Sequence, residues 1–152
     1  MPELSLDYAD FEALAAEILG TGSSLRFQAR GGSMRPFIWD GDQVELSPPG
    51  TRPLRRGDVV LCRLESGRLV LHRIVRLETS PAGPRLLIQG DALLAPDGTI
   101  SPGAVLGRAA AAYHAGRRFG LEDGLGRLLG LAWLVLLPLR GPCFKLLHNL
   151  RV

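Results

Sequence analysis

The sequence predicts a mainly β domain, preceded by an amphipathic helix and followed by hydrophobic helices. Three observations carry that prediction. Short aliphatic and β-branched runs recur from residue 25 to about residue 114, each bounded by Gly or Pro. Residues 7–19 repeat apolar side chains at helical spacing. Residues 117–152 are leucine-rich and basic, unlike the stretch before them. At 152 residues and 46% hydrophobic composition, the chain has material for one domain with appendages. The expected division is an amphipathic helix in 1–24, a β domain in 25–116 and a helical tail in 117–152.

The elements follow in order. LDYADFEALAAEILGTG reads as a helix with Phe11, Leu14, Ala15 and Ile18 on one face and Gly20 as its stop. LRFQA, QVELS, DVVLCRL, RLVLHRIVRLE, RLLIQ and AVLGRAAAAYH read as strands, with SPPGTRP and TSPAGP as loops between them. LGRLLGLAWLVLLPLRGPCFKLLHNL is helical in character, with breaks expected at Pro138 and Gly141-Pro142. Its apolar run, Leu128 to Leu139, is twelve residues, short of the roughly 20 that span a bilayer. Two readings of this tail stand side by side. It is a helix packed on the sheet, or a peripheral membrane contact through residues 119–150, with Trp133 near the headgroups and Arg127, Arg140 and Lys145 on lipid phosphates.

Charge narrows the partners. Residues 1–116 carry 12 basic and 13 acidic side chains, and residues 117–152 carry six and two, so the net charge of +3 belongs to the tail. No nucleic-acid partner is expected, because about 24 residues before the β region leave no room for a helix-turn-helix. Cys62 and Cys143 have neither disulfide nor metal-ligand spacing and read as two buried thiols. The first twenty residues hold five acidic side chains and no Lys or Arg, the reverse of a cleavable signal peptide. A cytoplasmic location is expected.

One stretch carries chemistry. In ARGGSMRPFIWDGDQVEL a single hydroxyl, Ser33, follows two glycines and precedes Met34 and Pro36. A serine needs a neighbouring base to act as a nucleophile. The one lysine, Lys145, lies in the tail, so composition excludes a Ser–Lys dyad built within the β domain. Three histidines remain, His72, His114 and His148. His72 sits in LVLHRIVRL, where Val70, His72 and Ile74 share a face; on such a face a histidine is more often a satisfied core residue than a base.

The order of blocks changes that balance. GSMRPFIWDGDQVEL, LRRGDVVLCRL, LVLHRIV, IQGDALLAPDG and VLGRA follow one another from residue 31 to about 110. Together they resemble the type I signal peptidase superfamily, in its Ser–His branch of the endoplasmic reticulum, archaea and spore-forming bacteria. The resemblance implies a compact signal-peptidase-like β domain and a serine endopeptidase that needs no metal or cofactor. Its substrate would be an extended protein or precursor-peptide segment added along a strand edge. It implies Ser33 as nucleophile and His72 as general base. The family has aspartates at the positions of both Asp91 and Asp97; we assign Asp97 to orienting the imidazole and Asp91 to shaping the site. Gly31 and Gly32 would open the backbone to a substrate carbonyl, the Ser33 N–H would serve the oxyanion, and Met34 would pack beneath. Gly41-Asp42 and Gly57-Asp58 read as turn chemistry.

Two departures bear on function. Many signal peptidases have a hydroxyl residue two positions before the nucleophile, where this sequence has Gly31, as do the superfamily's self-cleaving repressors. The family also carries an N-terminal membrane helix, where this sequence has the acidic segment 7–19. These departures favour a cytoplasmic protein, peripheral at a membrane, over one that removes signal peptides on its far side. They also raise the alternative of a non-catalytic peptide-binding module on the same fold.

Overall fold

The first helix, α1 (Tyr8–Gly20), begins where the Asp7 carboxylate accepts the Tyr8 N–H at 2.7 Å. A computed structural model of the chain describes residues 7–149, with side chains described through residue 139. Ala15 and Leu19 are the buried residues of α1, and Phe11 packs beside them. Leu14, expected on the packed face, is 40% exposed instead. The face runs through 11, 15, 18 and 19, at offsets of four, seven and eight, which leaves Leu14 on the flank. Arg63 and Glu12 form an ion pair that ties the helix to the sheet.

Eight antiparallel strands follow: β1 (Leu25–Gln28), β2 (Gln43–Ser47), β3 (Val59–Arg63), β4 (Leu69–Ser80), β5 (Gly83–Gln89), β6 (Gly98–Ile100), β7 (Val105–His114) and β8 (Arg117–Gly120). The order across the sheet is β1-β2-β7-β3-β4-β5-β6. β7 therefore lies between β2 and β3, joining the β1–β2 hairpin to the β3–β6 meander. β2 takes one edge of β7 over residues 108–113. The other edge is shared by β3 over 105–108 and by β8 over 111–114. The fold is mainly β, as the alternating runs predict.

β3 shows why the runs read so clearly. Val59 and Leu61 enter one core with Ala15, Leu19, Val44 and Leu46, while Val60 and Cys62 enter a second core with Ile74, Leu86 and Ile88. A strand alternates its side chains, so one covered on both faces is apolar throughout. Each fully buried Val or Leu contributes about 1.5–3 kcal/mol. Gly107 lets α1 approach, since a Cβ there would lie 2.9 Å from Leu19 Cδ1.

Two strands lie outside the predicted set. β6 is three residues long, too short for a period to register. β8 lies beyond the boundary expected at residue 116, and its RRFG sequence has no apolar alternation. It forms because Ala115 and Gly116 both take positive φ, 48° and 78°, the backbone a tight two-residue hairpin requires.

The tail is one helix, α2 (Gly124–Asn149), where several were expected. It passes through Pro138 and Gly141-Pro142 without a break. A proline costs a helix about 3 kcal/mol, an amount that packing of the preceding turns and the strong helix propensity of leucine offset. No helix among the described residues is long and apolar enough to cross a membrane.

Candidate active site

Ser33 lies on the loop between β1 and β2. That loop is closed at its base by Ala29 N–H on Asp42 O at 2.7 Å and Gly41 N–H on Ala29 O at 2.8 Å. Gly31 adopts φ +85°, a conformation that strains any side-chain-bearing residue, and its N–H donates to Asp40 Oδ1 at 2.7 Å. Met34 and Ile38, 4% and 2% exposed, sink into the core and anchor the turn immediately after the serine. Ser33 is thereby held half-buried at the rim. Gly32 has no such requirement: an added Cβ would meet only the Arg35 side chain, at 3.4 Å.

His72 comes from β4, opposite Val60 of β3, and is 3% exposed. Its Nε2 lies 3.0 Å from Ser33 Oγ and its Nδ1 lies 2.6 Å from Asp97 Oδ2. A carboxylate can only accept, so Nδ1 carries the proton toward Asp97. Nε2 is then the free acceptor, and Ser33 Oγ–H donates to it. Asp97 stands just before β6, where its N–H donates to Ile88 O at 2.8 Å and fixes the end of the 90–97 loop. Hydroxyl, imidazole and carboxylate thus form one line from three separate segments.

Asp91, the second candidate acid, faces elsewhere. Its carboxylate takes two hydrogen bonds from Arg73, Nε on Oδ1 at 2.8 Å and Nη2 on Oδ2 at 2.7 Å, with both side chains at most 2% exposed. Arg73 also donates Nη1 to Gly57 O at 2.8 Å and lies 4.8 Å over the Phe37 ring. Such pairing satisfies two buried charges that would each be costly alone. The loop starting at Gly90 meets the backbone of Ser33, because Ala92 N–H donates to Ser33 O at 2.9 Å. Met34 reaches the same loop, its Sδ accepting Asp91 N–H at 3.4 Å.

The other candidates are placed apart from this line. His114 pairs with Asp42 at 2.6 Å. Asp58, of the second Gly-Asp pair, accepts both Arg52 guanidinium nitrogens at 2.8 Å and the Arg55 N–H at 2.8 Å. Asp42 also accepts the Trp39 N–H at 2.8 Å, so both aspartates serve the turns expected of those positions and carry ion pairs that the sequence did not indicate. Cys62 is fully buried, and burial together with the nearby Asp97 charge pushes its thiol up to about 12, so no thiolate competes with the serine. Lys145, His148, Cys143 and Arg140 lie outside the described side chains. No group of three or more His, Cys, Asp or Glu among the described residues could hold a metal.

Two of the residues proposed for lipid face the domain instead. Arg127 reaches Arg56 O at 3.2 Å and Asp58 Oδ1 at 3.5 Å. Burial, then the charge of Arg55, lowers its guanidinium pKa against the pull of Asp58. Trp133 donates its indole N–H to Asp91 O at 2.9 Å and meets Phe37 edge-on at 6.0 Å. Sequence reasoning missed Trp133 and Gly90 at the site, and their only signal is spatial. No protein-family model and no curated protein matches this chain.

Proposed function

We propose that the chain is a serine endopeptidase of signal-peptidase-like type. The observation that carries this reading is the line Ser33 Oγ–His72 Nε2 at 3.0 Å and His72 Nδ1–Asp97 Oδ2 at 2.6 Å. Ser33 Oγ attacks the scissile carbonyl carbon as its proton passes to Nε2, and Asp97 stabilises the imidazolium. The oxyanion takes the Ser33 N–H. Collapse expels the amine, which accepts the proton from Nε2. Water, deprotonated by the same nitrogen, then hydrolyses the acyl ester. The ordered sequence blocks that resemble the Ser–His signal peptidases supply independent support.

The substrate enters as a strand. β5 pairs with β4 only from Arg73 onward, so Leu69–Leu71 beside His72 is paired on its β3 side alone among the described strands. An extended peptide can add its backbone to that edge, which also serves the alternative of a peptide-binding module. A fluorophosphonate probe separates the two. Labelling of Ser33 in the wild type, abolished in Ser33→Ala and His72→Ala, is expected for the peptidase. An unlabelled wild type that still binds peptide would leave the binding module.

Membrane contact remains part of the proposal through the outer face of α2. Leu125, Leu128, Val135 and Leu139 are 68%, 65%, 68% and 59% exposed at helical spacing. An apolar stripe of this kind lies in a bilayer interface without spanning it. Wild type should float with anionic liposomes, and Leu128→Gln/Val135→Gln should stay in the pellet fraction. Equal behaviour of the two proteins would end the membrane reading.

A further inference from the structure

We propose that α2 is a positioning element for the Ser33 site, with Trp133 as the residue through which it acts. This rests on the peptidase reading for its consequence in catalysis, though not for its geometry.

The inner face of α2 lies directly on the Arg73–Asp91 pair. Gly130 marks the closest approach, since a Cβ there would fall 2.4 Å from Arg73 Nη1. That nitrogen is already committed to Gly57 O, and the guanidinium is 1% exposed, so it has no open space to retreat into. One turn on, the Trp133 indole donates to Asp91 O at 2.9 Å while its ring meets Phe37. The other side of that same peptide unit, Ala92 N–H, donates to Ser33 O at 2.9 Å. Gly90 completes the contact, as a Cβ there would sit 2.7 Å from the same oxygen.

The path from helix to Ser33 is therefore two hydrogen bonds across a single peptide group: Trp133 to Asp91 O, and Ala92 N–H to Ser33 O. Phe37, which lies under Trp133 and Arg73, belongs to the Ser33 loop itself and gives a second contact to the same element. Asp97 ends the loop that Asp91 begins. One tryptophan thus bears on both the nucleophile and the carboxylate behind the histidine.

Trp133→Phe keeps the ring against Phe37 and removes the N–H. Amide exchange at Ala92 reports the bond to Ser33 directly, and it should quicken about tenfold in this variant. The limiting rate of fluorophosphonate labelling at Ser33 should fall about five- to tenfold with the probe's apparent binding constant unchanged. Gly130→Ala, ordinarily favourable in a helix, should act in the same direction by lifting α2 from Arg73. Leu19→Ala serves as the comparison: it removes core packing under α1 and should lower stability without either local effect. Ala92 exchange in Trp133→Phe equal to wild type overturns the inference, whether or not Ser33 labels. Faster exchange with an undiminished labelling rate overturns its catalytic part. A wild type that fails to label defeats the peptidase reading, and Ala92 exchange then decides the positioning by itself.

Discussion

The Asp97 carboxylate fixes which imidazole nitrogen of His72 holds a proton, and that is a chemical duty that Asp91 does not perform. Asp97→Asn replaces an obligate acceptor with an amide that can donate to Nδ1, which would turn an Nε2–H toward Ser33. Turnover should fall by about 10³–10⁴ with little change in melting temperature. Asp91→Asn weakens a pair whose members are both at most 2% exposed, and removing one partner of such a pair costs about 3–5 kcal/mol. Its main effect should be on stability, measured by chemical denaturation, with the smaller loss of turnover. The reverse order of turnover losses would reassign the orienting acid. Ser33, His72 and both aspartates were legible in sequence because each sits in a short local block. The choice between the aspartates was not decided by composition or spacing, since only the partners of their carboxylates distinguish them. Trp133 was legible only as an apolar residue in an apolar run, and the carbonyl that claims its N–H lies in another segment.

Between β5 and β6, the 90–97 loop does the work of holding two parts of the site at once. Its first residues grip Ser33 O and its last is Asp97. Gly90→Ala places a methyl 2.7 Å from a backbone oxygen, which cannot rotate away as a side chain end could. The variant should lose about 1–3 kcal/mol of stability, as overpacked sites do, and should label poorly with a serine probe. Gly103→Ala, with nothing within 4 Å of the added atom, should match the wild type in both measurements. An active, stable Gly90→Ala protein would mean that this contact does not hold the nucleophile. Six of the strands were legible because alternating burial prints a period on the sequence. β8 was not, since the β7 edge and a tight turn create it, while α2 was misread as broken because proline reports a local cost and not the packing that offsets it.

At the scale of the whole molecule, the two cores are divided by β3 and the sheet is closed by β7, the last long strand in the chain. Ser33 belongs to the hairpin on one side of β7, and His72 and Asp97 to the meander on the other. The consequence concerns synthesis. All three residues are synthesised before the strand that unites their two halves, which begins at Val105. A chain that has reached Asp97 therefore holds all three residues without the strand that brings their two halves together. A released chain truncated after residue 104 should fail to react with a serine probe, and one that runs through residue 139 should react. Reaction by the shorter chain would show that the loop contacts at Ser33 assemble the site without β7. If Ser33 is a nucleophile as proposed, its reactivity arrives only with β7, the strand that joins the hairpin to the meander.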